Sequence, residues 1–240
     1  MGTAKQTLPY AGSTMTAAAV RTVLDAGVHR AIVVTRSRIV DALQLPNDAR
    51  VIIAINDDPD GEMIDSVRIG LDALASSQPL TGTRDAADEK TPLPHGRGSD
   101  PTRATPLPHG RGSDPTRATP LPHGRGSDLS GDASSRDGVL VVPGDMPTIT
   151  ARTHRRCIAA FIADPARIVI AAYGSRRGHP IVFPVALRAE IDRLADGLSG
   201  LARAHSARLH IVETDDPGVV RDIDTIQEYD RLTDDATGGT

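Results

Sequence analysis

The sequence predicts an α/β fold in which a mostly parallel sheet is covered by helices on both faces. Three observations carry this. First, short β-branched runs such as "AIVVT", "RVIIAI", "RIVIAA" and "RLHIVE" alternate with helical stretches of about ten residues, the pattern of strands joined by crossover helices. Second, apolar content is ordinary at 39%, yet there is no Trp and only three Tyr and two Phe. The core is therefore Ala, Val, Ile and Leu, which suits helices packed on parallel strands. Third, 240 residues are enough for one sizeable α/β domain or two small ones.

The elements follow in order. An Ala-rich helical run from Thr16 to Ala26 is closed by Gly27, a residue that tolerates the left-handed conformation of a helix stop. "AIVVT" (Ala31 to Thr35) is a short buried strand, "RIVDALQL" a helix, and "RVIIAI" (Arg50 to Ile55) the next strand. A helix spans Met63 to Ala75. After residue 137 come the strand "VLVV", a helix through "RRCIAAFIA" and the strand "RIVIAA". A loop "YGSRRGHP", a helix through "VALRAEIDRLAD" and the strand "RLHIVE" follow. The last helix opens at "TIQEY", where Thr225 and Glu228 have capping-box spacing.

The middle of the chain has a different character. "TPLPHGRGSDPTRA" at Thr91 to Ala104 recurs unchanged at Thr105 to Ala118, and a third copy begins at Thr119 and decays after Asp128. Structural repeats drift in sequence while keeping an apolar face to bury. These identical units hold one Leu per fourteen residues and are rich in Pro and Gly, which excludes helix and central strand. The stretch reads as a disordered insertion in a surface loop, where added length costs little entropy. His95, His109 and His123 recur at fixed spacing and offer a weak metal-binding alternative. Residues 1–75 and 138–240 are thus expected to be two parts of one domain, parted by an insertion over 76–137.

Several function classes are excluded. A net charge of −4 and scarce aromatics give neither attraction for a phosphate backbone nor stacking platforms, so nucleic acid is not an expected partner. One cysteine rules out an internal disulfide framework and a Cys-rich zinc site. Cys157 lies among apolar residues at helical spacing and reads as a buried structural thiol. No stretch reaches membrane-spanning length and no leader-like segment opens the chain. A cytoplasmic protein with no membrane partner is expected.

In open α/β sheets, ligands gather beyond the C-terminal ends of strands, so loops after strands hold the candidates. Asp145 stands between Gly144 and Met146 past "VLVV", while Asp222 and Asp224 lie in "DDPGVVRDIDT" past "RLHIVE". One or two carboxylates, completed by water and phosphate oxygens, suit Mg2+. The competing role for Asp145, capping the next helix, is weakened because Thr150 is better placed before "ARTHRRCIAAF". Arg176 and Arg177, beside two glycines, suit an anionic substrate to which His179 can donate a hydrogen bond; the competing reading is a solvated turn. Past "RVIIAI", Gly61 permits a tight turn and Ser66 lies in the first turns of a helix with free backbone N–H groups. The acidic cluster there favours a base or ribose over a phosphate. Lys5 is the lysine nearest the presumed nucleotide loop and would neutralise triphosphate charge.

Singly these signals are weak, but their order is specific. "MGTAKQTLPYAGSTM", "GEMIDSVRIGLDAL", "VVPGDMPTIT", "RRGHPIVF" and "DDPGVVRDIDTIQEY" together resemble the molybdenum cofactor cytidylyltransferases, within the wider MobA-like NTP-transferase domain family. The likeness covers nearly everything outside the insertion. It implies a Rossmann-like α/β domain of the nucleotide-diphospho-sugar-transferase type. It also implies an Mg2+-dependent enzyme that joins CTP to the phosphate of a molybdopterin-type cofactor and releases pyrophosphate. A molybdenum-dependent dehydrogenase would be the recipient. By matching position, Asp145 resembles the family's Mg2+-binding aspartate and Asp224 falls where a second metal-side ligand is expected. Lys5 matches the lysine after the glycine-rich loop and is implied, with Asp145, in catalysis. Gly61 and Ser66 fall in the nucleotide-facing segment, and Arg177, Gly178 and His179 in the loop near the pterin.

The resemblance also carries a departure. Families of this type open with a strand and a loop of the form L-A-A-G-x-S-x-R-M-G, and this sequence begins at the Met-Gly of that motif. The first strand and the amide cradle for a triphosphate are therefore expected to be missing. Alternatives stay open: a guanylyl- or sugar-nucleotidyltransferase of the same fold, or a non-catalytic remnant. A receiver-like signalling domain with Asp145 as phosphoacceptor lacks the acidic pair and late lysine it would need.

Overall fold

The computed structural model describes residues 5–77, 137–223 and 225–237. The tandem repeats with His95, His109 and His123, the opening Met1-Gly2 and Asp224 lie outside the described residues. The chain enters through a 3-10 turn, Lys5–Thr7, and a small antiparallel pair, β1 (Pro9–Tyr10) and β2 (Ser13–Thr14). Helix α1 (Met15–Asp25) follows, capped by Thr14, whose side chain accepts from the Ala17 amide. Gly27 holds φ +92°, the left-handed stop expected there. Strands β3 (Ala31–Thr35) and β4 (Val51–Ile55) pair in parallel, and helix α2 (Met63–Ser76) packs on them.

A second, four-stranded sheet is built from β5 (Gly138–Val141), β6 (Ile168–Tyr173), β7 (Arg176–Pro184) and β8 (Leu209–Thr214). Its order is β5-β7-β6-β8, with β6 and β8 parallel and β7 antiparallel to both its neighbours. The fold is α/β, as expected, with parallel pairing of β3 with β4 and of β6 with β8 and antiparallel pairing through β7.

β6 is the centre of the packing, and its alternate side chains serve two cores. Ile168 and Ile170 face Ile64, Val67 and Leu71 of α2, with Phe183 and Leu201. Val169 and Ala171 face Cys157 and Phe161 of α3 (Ala151–Ala163), with Val182 and Val212. A strand buried on both faces needs the continuous apolar run "IVIAA". Cys157 is fully buried, and burial pushes its thiol up to about 12, so it is the inert structural group expected.

Three local expectations are corrected. "YGSRRGHP" is a hairpin, not a loop: Gly174 and Ser175 both take positive φ, +55° and +64°, making a two-residue turn that suits the strand twist. "RIVDALQL" forms two 3-10 turns, Ser37–Ile39 and Asp41–Leu43, ended by left-handed Gln44. "VALRAEIDRLAD" gives only a 3-10 turn, Val185–Leu187, and the four-residue α4, Arg188–Ile191. There the Arg68 guanidinium donates to the carbonyls of Ile191 (3.3 Å) and Leu194 (2.6 Å), engaging acceptors that a longer helix would use for its own ladder. Helix α5 (Gly197–Ala204), unanticipated in the sequence, fills the gap with Leu198 and Leu201. The last helix, α6 (Ile226–Thr237), opens on the expected capping box: the Glu228 amide donates to Thr225 Oγ1 and the Thr225 amide to Glu228 Oε2.

Candidate active site

Past β5 the chain turns through Pro143 and Gly144, and the Met146 amide donates to the Pro143 carbonyl at 3.3 Å. Met146 and Ile149 are buried, so apolar anchors behind Asp145 fix the loop. Thr150 caps α3, accepting from the Thr153 amide; Asp145 has no part in that cap. From α1, Thr16 Oγ1 donates to the Gly144 carbonyl at 3.2 Å, fastening the peptide just before Asp145.

Asp145 lines an open cleft of about 440 Å3 with Asp222, Arg176, Arg177 and His179. Met63 of α2 closes one side, and Val219 and Val220 another. The basic residues all come from the start of β7, which the hairpin turn brings back over the sheet end. Gly178 permits a close crossing here: a Cβ would lie 1.9 Å from the Val219 carbonyl oxygen. Any side chain would push the basic arm away from the Pro217–Val220 turn. Burial lowers the pKa of His179, against the opposing pull of a hydrogen bond to the Val141 backbone and of the Asp145 and Asp222 charges. Its Nδ1 is buried and has no partner among the described residues.

The donor set fits a hard divalent cation that brings its own remaining ligands. Among the described residues no group of three or more His, Cys, Asp or Glu side chains could hold a metal, so a closed protein cage is not formed. Asp145 and Asp222 sharing one cleft supply the one or two carboxylates with which Mg2+-like ions bind beside phosphate oxygens and water. No thiolate is offered here, since Cys157 is buried in the core.

The expected residues are brought together unevenly. Asp145, Arg177, Gly178 and His179 share the cleft, and Asp222 joins them. Lys5 lies in the turn beside the Asp145 loop, since Gln6 Cγ would stand 3.8 Å from a Cβ on Gly144. Ser66 is engaged by Asn56, whose Nδ2 donates to its Oγ at 3.2 Å, and Gly61 packs against the same Asn56. Neither lines the cleft; Met63 represents that segment instead. Sequence reasoning passed over Met63, Val219 and Val220, which look like ordinary core residues. Nothing in their spacing distinguishes a cleft wall from a helix interior.

The MobA-like NTP transferase domain matches residues 1–212. Among solved structures, the Mycobacterium tuberculosis protein Rv0371c is 21% identical, with TM-score 0.59, over 97% of this chain and 89% of its own. A manganese complex of Rv0371c aligns at TM-score 0.56 and 21% identity, over 95% of this chain and 90% of the other. A nucleotidyl transferase from Methanothermobacter aligns at TM-score 0.62 and 21% identity, covering 98% and 86%. A CMP:2-keto-3-deoxy-manno-octonic acid synthetase solved with CTP aligns at TM-score 0.55 and 12% identity, covering 98% and 92%. At such identities the likeness is one of fold. No curated protein matches the chain. Among the described residues no helix is long and apolar enough to cross a membrane.

Proposed function

The chain belongs to the MobA-like NTP transferase domain family, and from that premise we propose that its cleft transfers CMP from CTP to a molybdopterin-type phosphate. The observation that carries this is the meeting of two carboxylates and two guanidinium-bearing residues, Asp145, Asp222, Arg176 and Arg177, at one sheet edge. Opposite charges so arranged suit a reaction between two phosphorylated substrates, one approaching with a cation and the other without.

In the proposed reaction an acceptor phosphate oxygen forms a bond to the α-phosphorus of CTP. The bond from that phosphorus to the bridging oxygen breaks, and pyrophosphate leaves with the electron pair. Such a transfer needs charge neutralisation and in-line positioning more than an acid or base. Asp145 and Asp222 would hold a divalent cation, Mg2+ in our reading, with Asp224 beside them in sequence. That cation would neutralise phosphate charge on the nucleotide. Lys5 would meet the triphosphate. Arg176 and Arg177 would grip the acceptor phosphate, and His179, fixed by Val141, would shape the acceptor side of the cleft. Gly61 and Ser66 would shape the base-side wall through Asn56. A molybdenum-dependent dehydrogenase would receive the product. A fold neighbour was solved with CTP, so this fold can accommodate that nucleotide; guanylyl and sugar-nucleotide chemistry are the alternatives the test must separate.

The test is calorimetry with CTP and with GTP, each with and without Mg2+, followed by pyrophosphate release with a molybdopterin-type acceptor. Metal-dependent CTP binding that Asp145→Ala abolishes is the expected result. Preference for GTP would move the assignment to the guanylyl branch, and absence of any metal-dependent nucleotide binding would defeat it.

A further inference from the structure

Asp216 is buried, at 8% exposure, and the partners of its carboxylate come from two segments, the start of α3 with its cap and the Pro217–Val220 turn. Its Oδ2 accepts from the Thr150 amide at 2.9 Å, Thr150 Oγ1 at 2.8 Å and Thr153 Oγ1 at 2.7 Å. Its Oδ1 accepts from the Gly218 amide at 3.0 Å. Thr150 ends the loop that carries Asp145, and Gly218 begins the turn that leads to Asp222. A second observation joins the same two segments: a Cβ on Gly218 would lie 2.7 Å from the Thr148 carbonyl carbon, so the backbones touch.

We propose that Asp216 is a positioning residue that clasps the Asp145 loop to the Asp222 loop and so sets the spacing of the two cleft carboxylates. The inference rests on the reading of the cleft as a cation–nucleotide site. A carboxylate suits this post because it is acceptor-only at both oxygens, and four donors converge on it. An amide in its place can accept at one oxygen only. In Asp216→Asn the NH2 would confront either the threonines or the Gly218 N–H, and the clasp opens at one end with no change of size. Burial raises the Asp216 pKa, and the four donated bonds outweigh it to leave the group below the usual carboxylate range, so it stays acceptor-only at neutral pH.

The experiment compares the intact chain with Asp216→Asn and Thr153→Val. Thr153→Val removes one donor on the helix side and leaves the Gly218 link whole, which makes it the control for lost stability alone. Amide hydrogen exchange is read first, without metal or nucleotide. The Val219 and Arg221 amides, bonded to the Asp216 and Gly218 carbonyls, and the Met146 amide should exchange faster in Asp216→Asn. In Thr153→Val they should match the parent. Mn2+ affinity is read second, at a temperature where all three are folded. We expect a loss of about tenfold for Asp216→Asn, the scale of an outer-shell partner, and none for Thr153→Val. Unchanged exchange at those three amides, or equal affinity in both variants, would overturn the clasp. If the parent itself binds no Mn2+, the proposed function falls, and the exchange result alone decides the role of Asp216. Should Asp216→Asn not fold, the Thr150→Val/Thr153→Val pair removes both hydroxyl donors and leaves only the Thr150 amide on that side; it must shift exchange and Mn2+ affinity in the same direction, and no shift in either would overturn the clasp.

Discussion

The Thr16 hydroxyl donates to the Gly144 carbonyl across 3.2 Å and 128 positions of chain. It ties the first turn of α1 to the loop that presents Asp145, so a helix with no residue in the cleft still helps to place one.

Replacing Thr16 by Val keeps the shape and removes the donor. We expect a stability loss of about 1 kcal/mol, measured by denaturant titration, together with weaker Mn2+ binding. Lost stability with unchanged Mn2+ affinity would show that other contacts suffice to hold Asp145.

His154 makes a pH prediction. It is fully buried on α3; its Nε2 meets Thr22 Oγ1 at 3.3 Å, and that hydroxyl donates to the Ala19 carbonyl. The ring is therefore neutral, with its proton on Nε2, and Nδ1 has no partner among the described residues. Burial lowers its pKa from 6.5 to about 4, opposed by the nearby Asp216 charge. The unfolded state binds the proton more readily, so stability is present above pH 6.5 and is lost as pH falls towards 4. The loss is at most about 3 kcal/mol. His154→Leu should flatten this slope in stability curves between pH 7 and 4, and parallel curves would refute the assignment.

Gly178→Ala places a methyl where the Val219 carbonyl already sits. The backbone must shift, at a cost of roughly 1–3 kcal/mol or more. The melting temperature should fall, and with it the affinity for any ligand gripped by both Arg177 and Asp222. A variant as stable as the parent would show that β7 and the Pro217–Val220 turn separate easily.

Arg177→Gln tests the division of labour in the cleft. If this arm binds the acceptor, KM for the acceptor should rise about tenfold while kcat and the KM for CTP hold. A rise in the KM for CTP instead would assign Arg177 to the triphosphate side.

Much of this was legible before any coordinates, and the reasons differ by element. The Thr225–Glu228 capping box is local chemistry, complete within four residues, and it formed as read. The strands "AIVVT" and "RIVIAA" declare themselves by uninterrupted β-branched runs. β7 was taken for a loop because arginines and a Gly-His-Pro stretch mask its first half, although "GS" before it is a two-residue hairpin signal. The carbonyls at the end of α4 are engaged by Arg68, more than a hundred residues away, and no helix propensity encodes such a contact. Asp216 was passed over for the same reason: beside Pro217 it looks like a turn residue, and the threonines that give it meaning are over sixty positions distant.

The two-sided burial of β6 has a consequence for how the domain can come apart. Neighbouring residues of that strand, Ile168 and Val169, belong to different cores, so neither core can melt while the other keeps β6 in place. The two are one cooperative unit, and slow amide exchange along Ile168–Ala172 should vanish in a single step with protection in α2 and α3.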